Sequence, residues 1–125
     1  MGLNTSFFFD TYAFYEILGE NLNYKQYSSS VNIITTKLQL MELHYGLLRV
    51  YGKEEADRAF ERFKEFCVDI EDETIKLATT FRHQHYTRKL SYIDCLGYML
   101  AKKYNIPFLT GDEQFKDFEG VEFVK

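Results

Sequence analysis

Apolar and polar positions along the chain follow two rhythms. Residues 3–9 are a short apolar run with three consecutive phenylalanines, closed by Asp10-Thr11. Continuous rather than alternating hydrophobicity fits a strand covered on both faces, as in a parallel sheet. Residues 31–35 (VNIIT), 67–70, 106–110 and 121–124 read as four further strands. Between them, apolar positions recur at three- and four-residue steps, the spacing of a helix with one buried stripe. Leu38, Met41, Tyr45 and Leu48, widened by Leu40, Leu43 and Leu47, predict a helix over 36–51 that Gly52 ends. Ala56, Ala59, Phe60, Phe63 and Phe66 predict another over 53–66. Residues 71–87 are predicted helical, opening on Glu71, Asp72 and Glu73, where the helix dipole favours negative charge. Ile93, Leu96, Gly97, Leu100, Ala101 and Tyr104 predict a helix over 91–104. Shorter helical pieces are expected at 12–18 and 112–117, and the polar stretch 19–30 has room for one more.

Strands that alternate with helices through short connections predict an α/β fold, with a central, mainly parallel sheet of about five strands flanked by helices. No repeat, linker or low-complexity segment interrupts the pattern, so residues 1–125 are read as one domain. In such sheets, ligands bind beyond the carboxyl ends of the strands. An acid at a strand end, or in the helix that follows, is therefore placed for function.

Four acids meet that condition. Asp10 ends the first strand, where it serves equally well as a helix cap or as a ligand. Glu42 lies beside the apolar stripe of the helix after VNIIT, with Gly46 one turn on leaving room for something to approach; the bland alternative is a solvated side chain beside Lys37 and Arg49. Asp94 completes a Ser91-x-x-Asp94 capping pattern, yet sits next to Ile93 and near Gly97, on the side expected to face the sheet. Asp112 follows the strand 106–110 through Gly111, as a turn residue or a cap would. Glu113 and Asp117 are nearby acids on a short, exposed element and are read as solvated or as assisting the site from outside the metal-holding set. Each acid alone has an ordinary structural explanation. Together they can converge at one sheet edge, where crowded carboxylates repel unless a cation neutralises them. All-oxygen donors without His or Cys suit Mg²⁺ or Mn²⁺ rather than Zn²⁺, and such ions support hydrolysis of phosphodiesters.

Composition adjusts this picture in three places. Hydrophobic residues make up 46 %, with 12 Phe and 10 Tyr, which is ample for a packed interior and excludes a disordered chain. Cys67 and Cys95 form no CxxC pair, so they read as buried thiols of a reducing compartment. No run is long and apolar enough for a membrane span, and no secretory leader is visible, so a cytoplasmic protein is expected. The net charge of −4 argues against a generally basic nucleic-acid binder, although a cluster of cation-holding acids also lowers the total.

Phe9-Asp10-Thr11, Thr36-x5-Glu42-x3-Gly46, Ser91-Tyr-x-Asp94 and Leu109-Thr110-Gly-Asp112-x-x-Phe115 resemble, in order, the motifs of the PIN domain, and in size the small VapC-like toxin ribonucleases. The resemblance runs the length of the chain, and the last motif is its most specific part. It implies a three-layer fold around a parallel sheet and Mg²⁺- or Mn²⁺-dependent endoribonuclease activity on RNA. It also implies a cognate antitoxin as partner and a homodimer. Carried over position by position, it makes Asp10, Glu42, Asp94 and Asp112 the catalytic and metal-holding acids, with Thr11 and Thr110 supporting them. Tyr12 departs from the Ser or Asn of many members, and the insert at 19–30 is unusual in composition.

Arg82, Arg88 and Lys89 directly precede the Asp94 helix with Tyr86 among them, and could contact RNA phosphates while the ring stacks on a base. The bland reading, an exposed helix end whose basic groups complement the dipole, stands ahead of it. His83 and His85, two residues apart, share no helix face and make a poor metal pair. Two other function classes remain: a non-catalytic RNA- or protein-binding module on the same fold, and an aspartyl-phosphate phosphatase. The latter needs a second acid two residues after the first, where Tyr12 stands.

Overall fold

The computed structural model describes residues 5–125, so positions 3 and 4 of the first expected strand lie outside the described residues. Strand β1 spans Thr5–Phe9 and pairs in parallel with β2, Val31–Ile34, on one side and with β3, Phe108–Thr110, on the other. Strand β4, Val121–Phe123, pairs in parallel with β3. The sheet order is β2-β1-β3-β4. Strand order therefore reverses between β1 and β3, and the crevice beyond their carboxyl ends is where such a sheet takes a ligand.

The period-two geometry of β1 explains its three phenylalanines. Phe7 and Phe9 point to one face, and Phe8 to the other. The first face is covered by α1 (Thr11–Leu18), α2 (Lys37–Tyr51) and α3 (Lys53–Phe63) through Phe14, Leu40, Leu43 and Phe63. The second is covered by α4 (Asp72–Gln84) and α5 (Tyr92–Tyr104) through Ala78, Leu96, Leu100 and Ala101. Strand β3 repeats the split: Leu109 joins the first core and Phe108 the second. The α/β architecture expected from the sequence is thus present, as helices on both faces of a parallel sheet.

Among the described residues four strands form where about five were expected. The segment 67–70 contributes one parallel bridge, Thr35 to Cys67, held by Thr35 N–H to the Phe66 carbonyl and Val68 N–H to the Thr35 carbonyl. Pairing stops there because Thr36 already caps α2, its hydroxyl accepting from Leu38 and Gln39 N–H, so β2 has no further residue to offer. The predicted helix over 53–66 ends at Phe63 and finishes in a 3₁₀ turn, Lys64–Phe66. The polar stretch 19–30 holds a 3₁₀ helix, Leu22–Tyr27, whose Tyr24 and Tyr27 hydroxyls donate to the Val124 carbonyl and the Glu122 carboxylate. Its unusual composition therefore serves to pin the last strand.

Gly97 allows α5 to lie against the sheet. A Cβ there would stand 2.7 Å from Gln39 Nε2, 2.9 Å from a Phe8 ring carbon and 3.0 Å from one of Phe108. Gly97→Ala gains about 1 kcal/mol of helix propensity, whereas overpacking costs about 1–3 kcal/mol. A net loss of stability is expected in urea unfolding, larger for Gly97→Val; an unchanged midpoint for both variants would contradict this packing. Among the described residues, no helix is long and apolar enough to cross a membrane. Cys67 is half-buried, Cys95 is buried, and both are free thiols.

Candidate functional site: an acid cleft at the sheet's carboxyl edge

Asp10 follows β1 directly, and its N–H donates to the Leu109 carbonyl, which fixes it at the β1–β3 reversal. It precedes α1, but its side chain makes no capping hydrogen bond, so the cap reading does not describe this carboxylate. Instead Thr110 Oγ1 donates to Asp10 Oδ2 at 2.7 Å, while the same hydroxyl accepts from Asp112 N–H at 3.1 Å. The amide thereby commits the threonine proton to Asp10. Asp10 is 3 % exposed, and its other oxygen, Oδ1, is buried without a hydrogen-bond partner. A buried polar atom left this way is costly, and native structures keep few of them.

Asp94 and Asp112 both do the capping that sequence spacing allowed. Asp94 Oδ2 accepts from Ser91 N–H at 3.0 Å, and Ser91 Oγ accepts from Asp94 N–H at 2.9 Å. Asp112 Oδ1 accepts from Gln114 N–H at 3.0 Å. Each carboxylate also lines the cleft. Glu42, from α2, is half-buried there. The space one turn on at Gly46 is taken by this chain's own Tyr15: a Cβ at Gly46 would fall 1.5 Å from the Tyr15 hydroxyl.

These four acids therefore meet in one cleft of about 210 Å³, together with Thr11, Tyr12 and Tyr15. They arrive from the ends of β1 and β3 and from α2 and α5. Burial pushes the Asp10 carboxyl up to about 8, the Asp94 charge adds to the rise, and the Thr110 hydroxyl pulls back. Burial likewise raises Asp94 to about 6, with Glu42 and Asp112 adding repulsion against the Ser91 hydrogen bonds. Carboxylates that protonate near neutrality mark a site short of positive charge.

Gln39 carries no site pattern in the sequence. It lies inside an apolar helix and is fully buried. Its Nε2 donates to the Ile93 carbonyl at 3.0 Å, its Oε1 accepts from the Thr36 hydroxyl, and its carbonyl accepts from Thr11 Oγ1 at 3.3 Å. One residue thus ties together the neighbours of Asp10, Glu42 and Asp94. A glutamine within LQLMEL, one turn before an acid, was the available signal. Thr11 consequently spends its hydroxyl on α2, whereas Thr110 spends its own on Asp10.

The basic residues are distributed differently. Arg88 donates to the Gln114 carbonyl and pairs with both Asp117 oxygens at 3.0 and 3.1 Å, its guanidinium 4.4 Å above the Phe118 ring. This arrangement fastens the 85–90 segment to the last 3₁₀ turn. Arg82 donates to the Leu90 carbonyl and lies 4.5 Å over Tyr92, while Lys89 is exposed. Glu113 pairs with Lys125 at 3.2 Å, outside the cleft.

The donor chemistry fits a hard divalent cation: four carboxylates, one with a buried unpartnered oxygen, and no His or Cys. Among the described residues, no three acidic, His or Cys side chains are gathered tightly enough to hold an ion as they stand. Asp94 and Asp112 each have one oxygen engaged by a backbone N–H.

A parallel sheet wound on both faces, with acids gathered where its strand order reverses, defines a class of α/β domain. The chain belongs to the PIN domain family, whose profile matches residues 7–121. Its fold is similar to that of Mycobacterium tuberculosis VapC20, described as a toxin that cleaves the sarcin-ricin loop. The two are 18 % identical with a TM-score of 0.79, over 95 % of this chain and 99 % of that one. The DNA-bound VapBC structure from Salmonella typhimurium aligns at 16 % identity and a TM-score of 0.72, over 95 % and 96 % of the two chains. VapBC2 of Rickettsia felis, bound to a promoter fragment, aligns at 16 % and 0.71, over 97 % and 100 %. At these identities the likeness is one of fold. There is no match among curated proteins.

Proposed function

We propose that this protein is a metal-dependent endoribonuclease and the toxin of a toxin–antitoxin pair. The observation that carries the reading is the convergence of Asp10, Glu42, Asp94 and Asp112 on one cleft, with Asp10 Oδ1 buried and unpartnered. These four residues would hold Mg²⁺ or Mn²⁺, which when bound neutralises the carboxylates and polarises the phosphodiester facing it. Thr110 holds Asp10 by one oxygen and leaves the other for the ion. Glu42, which neither caps a helix nor is held by Thr110, is the group to orient the attacking water. Gln39 ties α2 to the start of α5, the two elements that carry Glu42 and Asp94 into the cleft.

Family membership supports nuclease chemistry, and the similar folds include VapBC complexes, which supports an antitoxin partner. We extend the reading to a homodimer acting in the cytoplasm. The alternative, a non-catalytic binding module, draws on one observation: Asp94 and Asp112 already have backbone partners. It leaves Asp10 Oδ1 unexplained. Incubating purified protein with single-stranded RNA separates the two. Cleavage is expected with Mg²⁺ or Mn²⁺ and none with chelator; equal cleavage in chelator, or none in either, would overturn the reading.

A further inference from the structure

Tyr12 and Tyr15 stand three residues apart on α1, and both line the acid cleft. Buried tyrosines elsewhere in this protein use their hydroxyls internally: Tyr24, Tyr27 and Tyr98 each donate to a carbonyl or carboxylate. Neither the Tyr12 nor the Tyr15 hydroxyl has a hydrogen bond among the described residues. Tyr15 is 36 % exposed and Tyr12 half-buried, so ring surface remains open.

Both rings are nevertheless held in place, each against a glycine beside an acid. A Cβ at Gly46, one turn past Glu42, would lie 2.7 Å from Tyr15 Cζ. One at Gly111, next to Asp112, would lie 2.3 Å from Tyr12 Cε1. The rings therefore flank the cleft on two sides, over notches that any side chain would fill. Fixed rings lose little freedom when a planar group stacks on them.

A cation held by the acids would take the phosphate, which leaves the rings to recognise another part of a polynucleotide. Flat aromatic surface with a free polar tip suits nucleobases, which are open to stacking only where RNA is unpaired. We propose that Tyr12 and Tyr15 form a nucleobase subsite of the acid cleft, stacking unpaired RNA bases on either side of the phosphodiester to be cut. This rests on the ribonuclease reading and adds to it the two side chains that hold the bases.

The test uses single-stranded RNA carrying 2-aminopurine, whose fluorescence falls on stacking, with Mg²⁺ and the full-length chain. Wild type is expected to quench it. Tyr12→Leu and Tyr15→Leu are expected to bind at least about tenfold more weakly and quench less, whereas the Phe variants retain both effects. In cleavage, the Leu variants raise KM about tenfold with kcat nearly unchanged. An abasic nucleotide in the RNA reproduces the loss without altering the protein. Leu variants that bind and quench like wild type, or Phe variants that fail like the Leu ones, would overturn the stacking subsite. Quenching that follows the rings without any cleavage would sink the nuclease reading alone; cleavage indifferent to the rings would sink the subsite alone; absence of RNA binding would remove both.

Discussion

Asp10→Asn stabilises the ion-free protein at pH 8 by roughly 1–3 kcal/mol, a rise in melting temperature of several degrees. The sign follows from the raised carboxyl. Folded Asp10 keeps its proton up to about 8, against 3.8 for the ordinary group. Native protein therefore binds a proton that unfolded chain has lost. Wild-type stability from this group is fully present below about pH 4 and declines as pH rises toward 8. Asn does not titrate, so the variant escapes the decline, and its carbonyl can still accept from Thr110. The new amide nitrogen lacks a partner unless a neighbouring carboxylate accepts from it, which limits the gain. Thermal unfolding in chelator checks this: the advantage appears at pH 8 and vanishes near pH 4. An advantage that does not depend on pH would mean that Asp10 is not held protonated.

Asp94→Asn lowers RNA cleavage by on the order of 10³-fold or more, as loss of several kcal/mol of transition-state stabilisation requires. The fold survives because the bond from Ser91 N–H needs only an acceptor, which the Asn carbonyl supplies. Circular dichroism and melting temperature are expected to stay near wild type while cleavage rate at saturating Mn²⁺ collapses. Undiminished cleavage would remove Asp94 from the site, and a collapsed fold would make its capping role dominant.

The sequence makes the sheet and both helical layers readable, because a triple-Phe run must face two ways and helical stripes must cover it. Asp10, Asp94 and Asp112 were identifiable from position alone, each ending a strand or opening a helix. The strand over 67–70 was over-read: its apolar character reflects packing of Cys67 beside α3, and pairing depends on whether Thr36 leaves β2 free. Gly46 was read as space for a ligand, yet the occupant is Tyr15, from thirty-odd positions earlier in the chain. Arg88 reads from spacing as an exposed basic group, or less favourably as a phosphate contact, because its partner Asp117 is distant in sequence. Gln39 went unnoticed because a buried polar strut has no periodicity of its own. In each case the missing information was which element lies opposite, which spacing along one chain does not encode.

Whether the four carboxylates hold a divalent cation is read out by titrating Mn²⁺ into the protein in a calorimeter at pH 7, in two buffers of different ionisation heat. Saturable binding with proton release is predicted, since Asp10 enters protonated, and the Asp94→Asn, Asp112→Asn double variant is predicted to lose it. Absence of saturable binding in wild type, or the same binding in the double variant, would contradict the account.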